Sequence, residues 1–330
     1  MTKTAVILFN LGGPDAQESV RPFLFNLFND EAIIRVPQPL RWFIATMISS
    51  RRAPIARAIY KQMGGGSPIM PNTQAQADAL ENALNEKSST RYKCFIAMRY
   101  WHPFAGEAAR AVKDYGPDNI ILLPLYPQFS TTTTQSSFKD WHRAAAKAGI
   151  AAPTQSICCY PQLDGFVSAL AAAIRPVYAE AQKYGAPRIL FSAHGLPEKI
   201  VKAGDPYADQ CAATADALRR ALAVDKRDSV LCFQSRVGPL KWIGPSTDDE
   251  VRRAGRDKVP LVVVPIAFVS DHSETLVEIN IEYRHLAAQG GAPFFGFVPA
   301  VGAAPAFIDG LAQLVRQGCK NCDCAFAAKT

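Results

Sequence analysis

The sequence predicts an α/β fold built from two similar halves, and three observations carry this prediction. Short apolar runs, rich in β-branched residues, alternate along the chain with amphipathic stretches of helical periodicity. The apolar runs are continuous, which is typical of parallel strands covered by helices on both faces. A weak internal repeat relates ILFNLGGP at 7–14 to ILFSAHGLP at 189–197. The second half is therefore expected to repeat the first.

The predicted elements follow one another in a regular order. The halves are predicted as 1–155 and 156–315, followed by a cysteine-rich tail at 316–330. The predicted strands are 5–10, 93–100, 119–126, 154–160, 188–194, 229–235, 260–268 and 294–298. The predicted helices are 73–86, 104–116, 134–148, 163–183, 207–223, 247–255, 274–288 and 304–317.

The composition is that of an ordinary globular protein. With 330 residues, 48% of them hydrophobic and 20% charged, the chain is long enough to bury a full core. The net charge of +7 is spread over scattered lysines and arginines, so nucleic acid is not an expected partner. A small anionic substrate or an anionic membrane surface suits this charge better.

The sequence shows no targeting segment. Its N-terminus enters a strand at once, and no run of 18 apolar residues occurs. We therefore expect a cytoplasmic protein. In that compartment its eight cysteines are expected to be reduced thiols or metal ligands.

Ligands of open α/β sheets bind beyond the carboxyl ends of the strands, so polar residues that follow the strands are candidate site residues. The glycine-rich turns do not match phosphate-binding motifs, because NLGGP lacks the GxGxxG spacing and MGGGSP is not followed by Lys-Ser or Lys-Thr. The strand-end candidates are Asn10, Arg99, Tyr100, Tyr126, Ser130, His194, Gln234, Ser235, Asp271, His272 and Glu274.

The segment VPIAFVSDHSETLVEINIEY carries the densest set of titratable groups. It leads an apolar strand into Asp271, His272 and Glu274, and further carboxylates follow at Glu278 and Glu282. On an α-helix the three glutamates would span roughly 12 Å at 1.5 Å per residue. The stripe is either a solvated helix face or a relay that carries protons or metal between a pocket and water.

Several strings together resemble the ferrochelatase family, the enzymes that insert ferrous iron into protoporphyrin IX. SAHGLP and SDHSETL are the most specific of them, and NLGGP, GGGSPI, RYWHP, GDPY and FQSRVGPLKWIGPSTD occur with them in the family's order over about 1–315. The resemblance implies two Rossmann-like domains with a porphyrin cleft between them and no bound nucleotide. It also implies a metal chelatase of the lyase class that forms protohaem and releases two protons, the terminal step of haem biosynthesis.

The resemblance assigns site residues by their positions in these strings. His194 in SAHGLP matches the family's active-site histidine, and Glu274 in SDHSETL matches its partner glutamate. Asp271 and His272 precede that glutamate and are expected in the catalytic site. The residues that match porphyrin contacts are Leu11, Arg52, Tyr60, Ser67, Arg99, Tyr100 and Trp242.

Two positions depart from the family pattern. A lysine that animal enzymes carry three residues after the arginine is Ile55 here, which puts one contact to a porphyrin propionate in doubt. A methionine or tyrosine seen elsewhere is Leu11, which we interpret as a change in porphyrin packing.

The assigned residue types suit metallation, which removes two pyrrole protons and delivers Fe²⁺ to four nitrogens. A neutral imidazole accepts a proton or coordinates iron. Carboxylates accept protons and bind Fe²⁺ weakly enough to release it. His194 and Glu274 are therefore expected to contact the Fe²⁺ substrate. The relay interpretation of Glu278 and Glu282 is favoured over the solvated face.

The stretch 33–54 is expected to form the hydrophobic lip that ferrochelatases place over the cleft, with a buried helix as the alternative. Its position beside Arg51 and Arg52 predicts peripheral contact with an anionic inner membrane. A homodimer is a further expectation. The apolar residues of the lip are Leu40, Trp42, Phe43, Ile44, Met47 and Ile48.

The tail CKNCDCAFAAKT places Cys319, Cys322 and Cys324 within six residues. Some ferrochelatases hold a [2Fe–2S] cluster with three C-terminal cysteines and a distant fourth, and four thiolates suit such a cluster. The position of the distant cysteine is Ala169 here, so Cys158 or Cys159 is expected to replace it, with Cys158 favoured. A four-thiolate zinc site and free thiols are the alternatives.

Three rival functions stay open. One is a related chelatase that acts on coproporphyrin or inserts cobalt, and another is a non-catalytic tetrapyrrole carrier. The catalytic residues argue against a carrier, because binding alone needs no proton acceptor. The third is a nicotinamide oxidoreductase, which the missing glycine fingerprint disfavours.

Overall fold

The computed structural model describes residues 1–236 and 240–317 of the chain. These residues fall into two compact units, of which the second is residues 160–310 and the first holds residues 1–159 and 311–317. The second half was predicted to run to 315, so the C-terminal helix returns to the first unit earlier than expected. Arg316 supports this assignment, because its Nη2 donates a hydrogen bond to the carbonyl oxygen of Ala83 at 2.7 Å.

The first unit contains a parallel four-stranded sheet. Its central strand β1 begins at a polar N-terminus and is then fully buried, with Ala5, Val6, Ile7 and Leu8 showing no exposure, as expected for a strand covered on both faces. The strand order is β2-β1-β3-β4. The strands are β1 (Lys3–Asn10), β2 (Arg91–Met98), β3 (Asn119–Pro124) and β4 (Thr154–Ser156).

The helices of the first unit cover this sheet through an aromatic core. Phe9 of β1 packs edge-to-face on Phe138 and Trp141, with ring centroids 5.5 Å and 6.2 Å apart. Trp141 has no exposed surface. The helices are α1 (Val20–Phe28), α2 (Leu40–Lys61), α3 (Ile69–Asn85), α4 (Ala105–Tyr115) and α5 (Thr134–Lys147).

The second unit repeats the topology of the first. Its sheet has the order β6-β5-β7-β8, so in each unit the first strand lies between the second and the third. All of its strand pairs are parallel, and the register sets His194 opposite Gln234. The strands are β5 (Arg188–His194), β6 (Ser229–Gln234), β7 (Leu261–Pro265) and β8 (Phe295–Phe297). The predicted fold class is confirmed.

The helices of the second unit include one element of unusual geometry. The predicted α-helix over 274–288 is a π-helix over Glu274–Tyr283 that continues as an α-helix. Because a π-helix bonds residue i to residue i+5, the 12 Å span calculated for an α-helix does not apply to its glutamates. The α-helices are α6 (Asp164–Gln182), α7 (Glu198–Lys202), α8 (Tyr207–Leu222), α9 (Thr247–Asp257) and α10 (Arg284–Gly290). The C-terminal helix α11 (Pro305–Gln317) begins in the second unit and ends in the first.

Helix α2 exposes several large apolar side chains. The buried-helix alternative for this segment is wrong, because Trp42 is 53% exposed and Phe43 is 63% exposed. Its buried positions are small or polar, including Ala45, Ser49 and Ala53. No helix among the described residues is both long and apolar enough to cross a membrane.

Candidate active site

The carboxyl end of β5 and the start of the π-helix place His194 and Glu274 in direct contact. His194 Nδ1 lies 2.8 Å from Glu274 Oε2, and the two side chains are 37% and 33% exposed. The pair is therefore partly desolvated and still accessible to a ligand. Eighty residues separate the partners in the chain, and only the folded sheet brings them together.

The two charges stabilise one another. Burial opposes ionisation of the Glu274 carboxyl, but the charge and hydrogen bond of His194, aided by His272 and Ser235, lower its pKa to about 2. Burial alone would lower the pKa of the His194 imidazole, but Glu274, with a smaller effect of Glu278, raises that pKa above its ordinary value. Glu274 is thus ionised at neutral pH, and it makes His194 more basic.

His272 and Asp271 lie beside this pair and shape the start of the π-helix. The backbone N–H of Glu274 donates to His272 Nδ1 at 3.2 Å, and the backbone N–H of His272 donates to Thr275 Oγ1 at 3.0 Å. Burial and the nearby charge of His194 lower the pKa of His272, although Glu274 and Asp271 oppose this shift. Asp271 Oδ1 accepts a hydrogen bond from the backbone N–H of Ala300 at 3.1 Å.

The Glu278 carboxylate accepts four hydrogen bonds, three from residues at the end of β6 and one from Tyr283 of the π-helix. Ser235 donates from its backbone N–H at 2.8 Å and from its hydroxyl at 2.6 Å. Gln234 Nε2 donates at 3.1 Å and the Tyr283 hydroxyl at 2.9 Å. Burial and the charge of Glu274 nevertheless raise the pKa of Glu278, so it accepts a proton more readily than an ordinary glutamate.

The backbone of Ser235 is strained in a way that serves this contact. Its φ of 60° lies in the left-handed region, which residues with a side chain seldom adopt. In that conformation both the N–H and the hydroxyl of Ser235 reach the Glu278 carboxylate. The hydrogen bonds to a buried charge offset the backbone strain.

Gln234 links the two glutamates of the π-helix. Its Nε2 donates to the backbone oxygen of Glu274 at 2.9 Å as well as to Glu278, and its Oε1 accepts from the Ser192 hydroxyl at 2.7 Å. Gln234 and Ser235 were strand-end candidates without an assigned role, whereas Ser192 and Tyr283 were not predicted. Ser192 lies inside a strand and shows no exposure, so no sequence signal separated it from core residues.

Trp242 borders the same site. A Cβ at Gly195 would lie 3.2 Å from the Trp242 ring and 2.9 Å from the backbone oxygen of Gln234, so the residue after His194 must be small. Trp242 Nε1 is buried and has no hydrogen-bond partner in the described part of the chain. Glu282, the last carboxylate of the predicted relay, is exposed.

The predicted porphyrin contacts Arg99 and Tyr100 belong to a polar network of the first unit. Arg99 Nη2 lies 2.9 Å from Asp30 Oδ2, and its Nε donates to the Ser136 hydroxyl at 2.8 Å. The Tyr100 hydroxyl donates to the same Asp30 oxygen at 2.9 Å, and Tyr100 is 2% exposed. This burial leaves little of Tyr100 for a ligand in this conformation, and its contact with porphyrin stays a prediction.

The other predicted porphyrin contacts differ in exposure. Arg52 is exposed, with its guanidinium 5.9 Å from the ring centre of Phe28, whereas Tyr60 is 7% exposed. Leu11 is half-buried, and its carbonyl oxygen accepts from the backbone N–H of Tyr100 at 2.9 Å. Ser67 is half-buried, and its backbone N–H donates to the Pro14 oxygen at 2.7 Å.

Comparison with known proteins agrees with the motifs. The sequence model of the family described as Ferrochelatase matches residues 3–319. A ferrochelatase of Caulobacter vibrioides is 53% identical over 315 residues, which cover 95% of this chain and 90% of that protein. A ferrochelatase of a Wolbachia strain from Drosophila simulans is 49% identical over 94% of this chain and 98% of that protein.

This chain belongs to the ferrochelatase family. It is an enzyme of the metal-chelatase class, and the predicted activity is confirmed. Among solved structures, SirB from Bacillus subtilis with Fe³⁺ matches with a TM-score of 0.57 over 96% of this chain and 95% of that chain. Its sequence identity is 14%, so this likeness supports the fold alone.

The cysteines predicted to hold a cluster in this ferrochelatase are described only in part. Cys319, Cys322 and Cys324 lie outside the described residues. The predicted strand 154–160 contained Cys158 and Cys159, but β4 ends at Ser156, so neither cysteine lies on a strand. Their sulfur atoms are 3.8 Å apart beside Phe129. Within the described ranges, no group of three or more His, Cys, Asp or Glu residues could hold a metal ion.

The contact between His194 and Glu274 predicts a measurable titration. In wild type, NMR titration of the His194 ring is expected to give a pKa above that of an ordinary histidine. Glu274→Gln keeps the shape of the side chain and removes its charge. Burial is then the main effect on the pKa of His194. The pKa of His194 is then expected to fall below the wild-type value.

Glu282→Gln is the matched control, because it makes the same change at an exposed position of the same π-helix. Glu282→Gln should not change the pKa of His194. Equal shifts in both variants, or none in Glu274→Gln, would contradict the electrostatic coupling described here.

Proposed function

We propose that His194 and Glu274 form the metallation centre of this ferrochelatase and act on Fe²⁺ and protoporphyrin IX. The observation that carries the proposal is their 2.8 Å contact at the end of β5. A buried ionised carboxylate beside an imidazole is a common arrangement for a proton acceptor. A protein that only bound tetrapyrrole would have no use for it.

The contact defines which nitrogen of His194 reacts. Because the pKa of Glu274 is about 2, the carboxylate is ionised at neutral pH and accepts a hydrogen bond from Nδ1–H. The neutral imidazole then carries its lone pair on Nε2. That nitrogen accepts a pyrrole proton or coordinates Fe²⁺, and Glu274 stabilises the imidazolium that forms.

The second proton requires another acceptor, for which Glu278 is suited. Its raised pKa makes it a better proton acceptor than an ordinary glutamate, and its carboxylate is held in place by Ser235 and Tyr283. We propose that Glu278 takes this proton and that the exposed Glu282 passes protons to water. The reaction then balances, since Fe²⁺ replaces the two protons on the porphyrin nitrogens.

Anaerobic metallation measured by absorbance tests these roles. With Fe²⁺ and protoporphyrin IX, wild type should convert the free-porphyrin bands to those of haem. His194→Ala should lower kcat by roughly 100-fold or more, because a positioned proton acceptor contributes at least that factor. The exposed histidine in His285→Ala provides the control, which should retain wild-type activity.

The same assay distinguishes the rival functions. Binding of porphyrin by wild type without conversion would identify a carrier, and turnover of coproporphyrin alone would change the substrate but keep the mechanism. Cobalt turnover in preference to iron would change the metal. Full activity of His194→Ala would remove the proposed role of the histidine.

We also propose a [2Fe–2S] cluster with Cys319, Cys322, Cys324 and one thiolate of the Cys158–Cys159 pair. The pair supports this, since its sulfur atoms lie close together in a buried site and Cys159 carries a reduced thiol there. A bound cluster supplies one-electron chemistry. Metallation does not need such chemistry, because Fe²⁺ replaces two protons without a change of oxidation state.

Iron and acid-labile sulfide analysis with electron paramagnetic resonance tests the cluster. Roughly two iron and two sulfide atoms per chain are expected. Cys322→Ser should abolish them, whereas the half-buried Cys94→Ser should not. If only one of the variants Cys158→Ser and Cys159→Ser loses its iron and sulfide, the residue replaced in that variant is the fourth ligand. Zinc in place of iron, or free thiols by titration, would refute the cluster.

Peripheral membrane contact is proposed for the exposed face of α2. Leu40, Trp42, Phe43 and Met47 are 38–63% exposed there, and Arg51 and Arg52 follow on the same helix. Apolar side chains beside cations suit the surface of an anionic bilayer. The predicted homodimer stays a prediction, which light scattering of the purified protein would test.

Co-sedimentation with vesicles tests the membrane contact. Wild type should bind vesicles that contain phosphatidylglycerol more tightly than vesicles of phosphatidylcholine alone. Trp42→Ser with Phe43→Ser should weaken binding at least about tenfold, since each buried ring contributes about 1.5–3 kcal/mol. Tyr184→Ser, at a 50% exposed tyrosine of the second unit, is the control. Equal binding by all three proteins would contradict the proposal.

A further inference from the structure

The first unit contains an open cavity of about 560 Å³, whose lining includes the predicted porphyrin contact Arg99 but no residue of the proposed metallation centre. Helices α1, α4 and α5 line the cavity together with residues of the adjoining loops, and they contribute Asn26, Arg110 and Arg143, respectively. The volume lies within the range of roughly 300–1,000 Å³ that is typical of sites for small organic ligands. The cavity is therefore large enough for more than a simple inorganic ion.

One face of α5 forms a wall of the cavity. Asp140, Arg143, Ala144 and Lys147 line it, and their spacing of i, i+3, i+4 and i+7 places them on the same side of the helix. Arg110 faces the cavity from α4. Three cationic side chains thus project towards one open volume.

These three cations are available for a ligand. Arg110, Arg143 and Lys147 are exposed, and none forms an ion pair within the part of the chain that the structure describes. Arg99 is the fourth cation of the lining. It is paired with Asp30, and its Nη1 lies 3.6 Å from Asp140 Oδ2. The lining carries four cations against two carboxylates, so the cavity attracts anions.

The rest of the lining suits a body that is partly apolar. Phe104, Ala144 and Ala148 contribute carbon surface, and Asn26 and Asn29 contribute amide groups. Asn26 Nδ2 already donates to the Tyr100 carbonyl oxygen at 3.1 Å, which fixes the orientation of this amide. A hydroxyl or ring nitrogen of a ligand can bond to the remaining amide atoms.

We propose that this cavity binds a small organic anion with at least two negative charges, a phosphate or a polycarboxylate of nucleotide size. The charges pair with Arg110, Arg143 and Lys147, and the body of the ligand lies against Phe104 and α5. All residues of the cavity lining belong to the first unit, whereas His194 and Glu274 belong to the second. Because the cavity attracts anions, its ligand is a binding partner other than the Fe²⁺ substrate, which is a cation.

Isothermal titration calorimetry of the full chain at low ionic strength tests the proposal with ADP, citrate, inorganic phosphate and adenosine. ADP or citrate should bind, and the two distinguish an organic phosphate from a polycarboxylate. Adenosine should not bind, because it lacks the charge. Raising the salt concentration to about 0.5 M should weaken binding, since exposed charges are screened.

Paired variants locate the binding. Arg143→Glu with Lys147→Glu should weaken binding by at least about tenfold, as expected when two ion pairs become repulsive. Arg220→Glu with Arg256→Glu makes the same change in net charge at exposed positions of α8 and α9 and should bind as wild type does. Circular dichroism and metallation activity should be unchanged in both double variants.

Three results would overturn the proposal. They are no binding of ADP or citrate by wild type, equal weakening in both double variants, and binding of inorganic phosphate or adenosine as tightly as that of the organic anions. Equal weakening in both double variants would show that net charge alone causes the effect. Equally tight binding of inorganic phosphate would show that the site needs no organic body, and equally tight binding of adenosine would show that it needs no charged group.

Discussion

The contact between His194 and Glu274 makes strict demands on the surrounding structure. Burial would lower the pKa of the imidazole and raise that of the carboxyl, and the 2.8 Å contact between the two groups reverses both shifts. The end of β5 and the start of the π-helix must therefore be fixed to within a few tenths of an ångström. Gln234 helps to do this, since its amide bonds to the Glu274 backbone while the neighbouring strand holds it in register with His194.

The sheets could be predicted because their physical cause is local in the sequence. A strand such as β1 that helices cover on both faces needs a continuous apolar run, and the carboxyl ends of parallel strands must meet at one edge. For that reason the sequence predicts that His194, Gln234, Ser235 and Glu274 lie close together. The motifs then separated catalytic candidates from structural ones, which position alone could not do.

Other features could not be predicted because they depend on contacts distant in the chain. The π-helix differs from an α-helix by one residue in its hydrogen-bond pattern, and an apolar periodicity over ten residues does not separate the two. The left-handed backbone of Ser235 is stabilised by Glu278, 43 residues further on. The sulfur atoms of Cys158 and Cys159 lie together because β4 ends two residues before them, and boundaries are the least certain part of a pattern.

The two units share a topology but differ at the positions where chemistry is expected. In the first unit, β1 ends at Asn10, which is paired in register with Met98. Asn10 is 5% exposed, and its amide donates to the Thr73 hydroxyl at 2.9 Å.

In the second unit the corresponding paired ends are His194 and Gln234. An uncharged amide beside a methionine neither titrates nor needs a counter-charge, so the end of β1 can be packed and satisfied internally. An imidazole needs the carboxylate that the π-helix supplies, and the pair stays partly open to solvent. The repeated strand end is therefore a buried, hydrogen-bonded amide in one unit and a titratable pair accessible to solvent in the other.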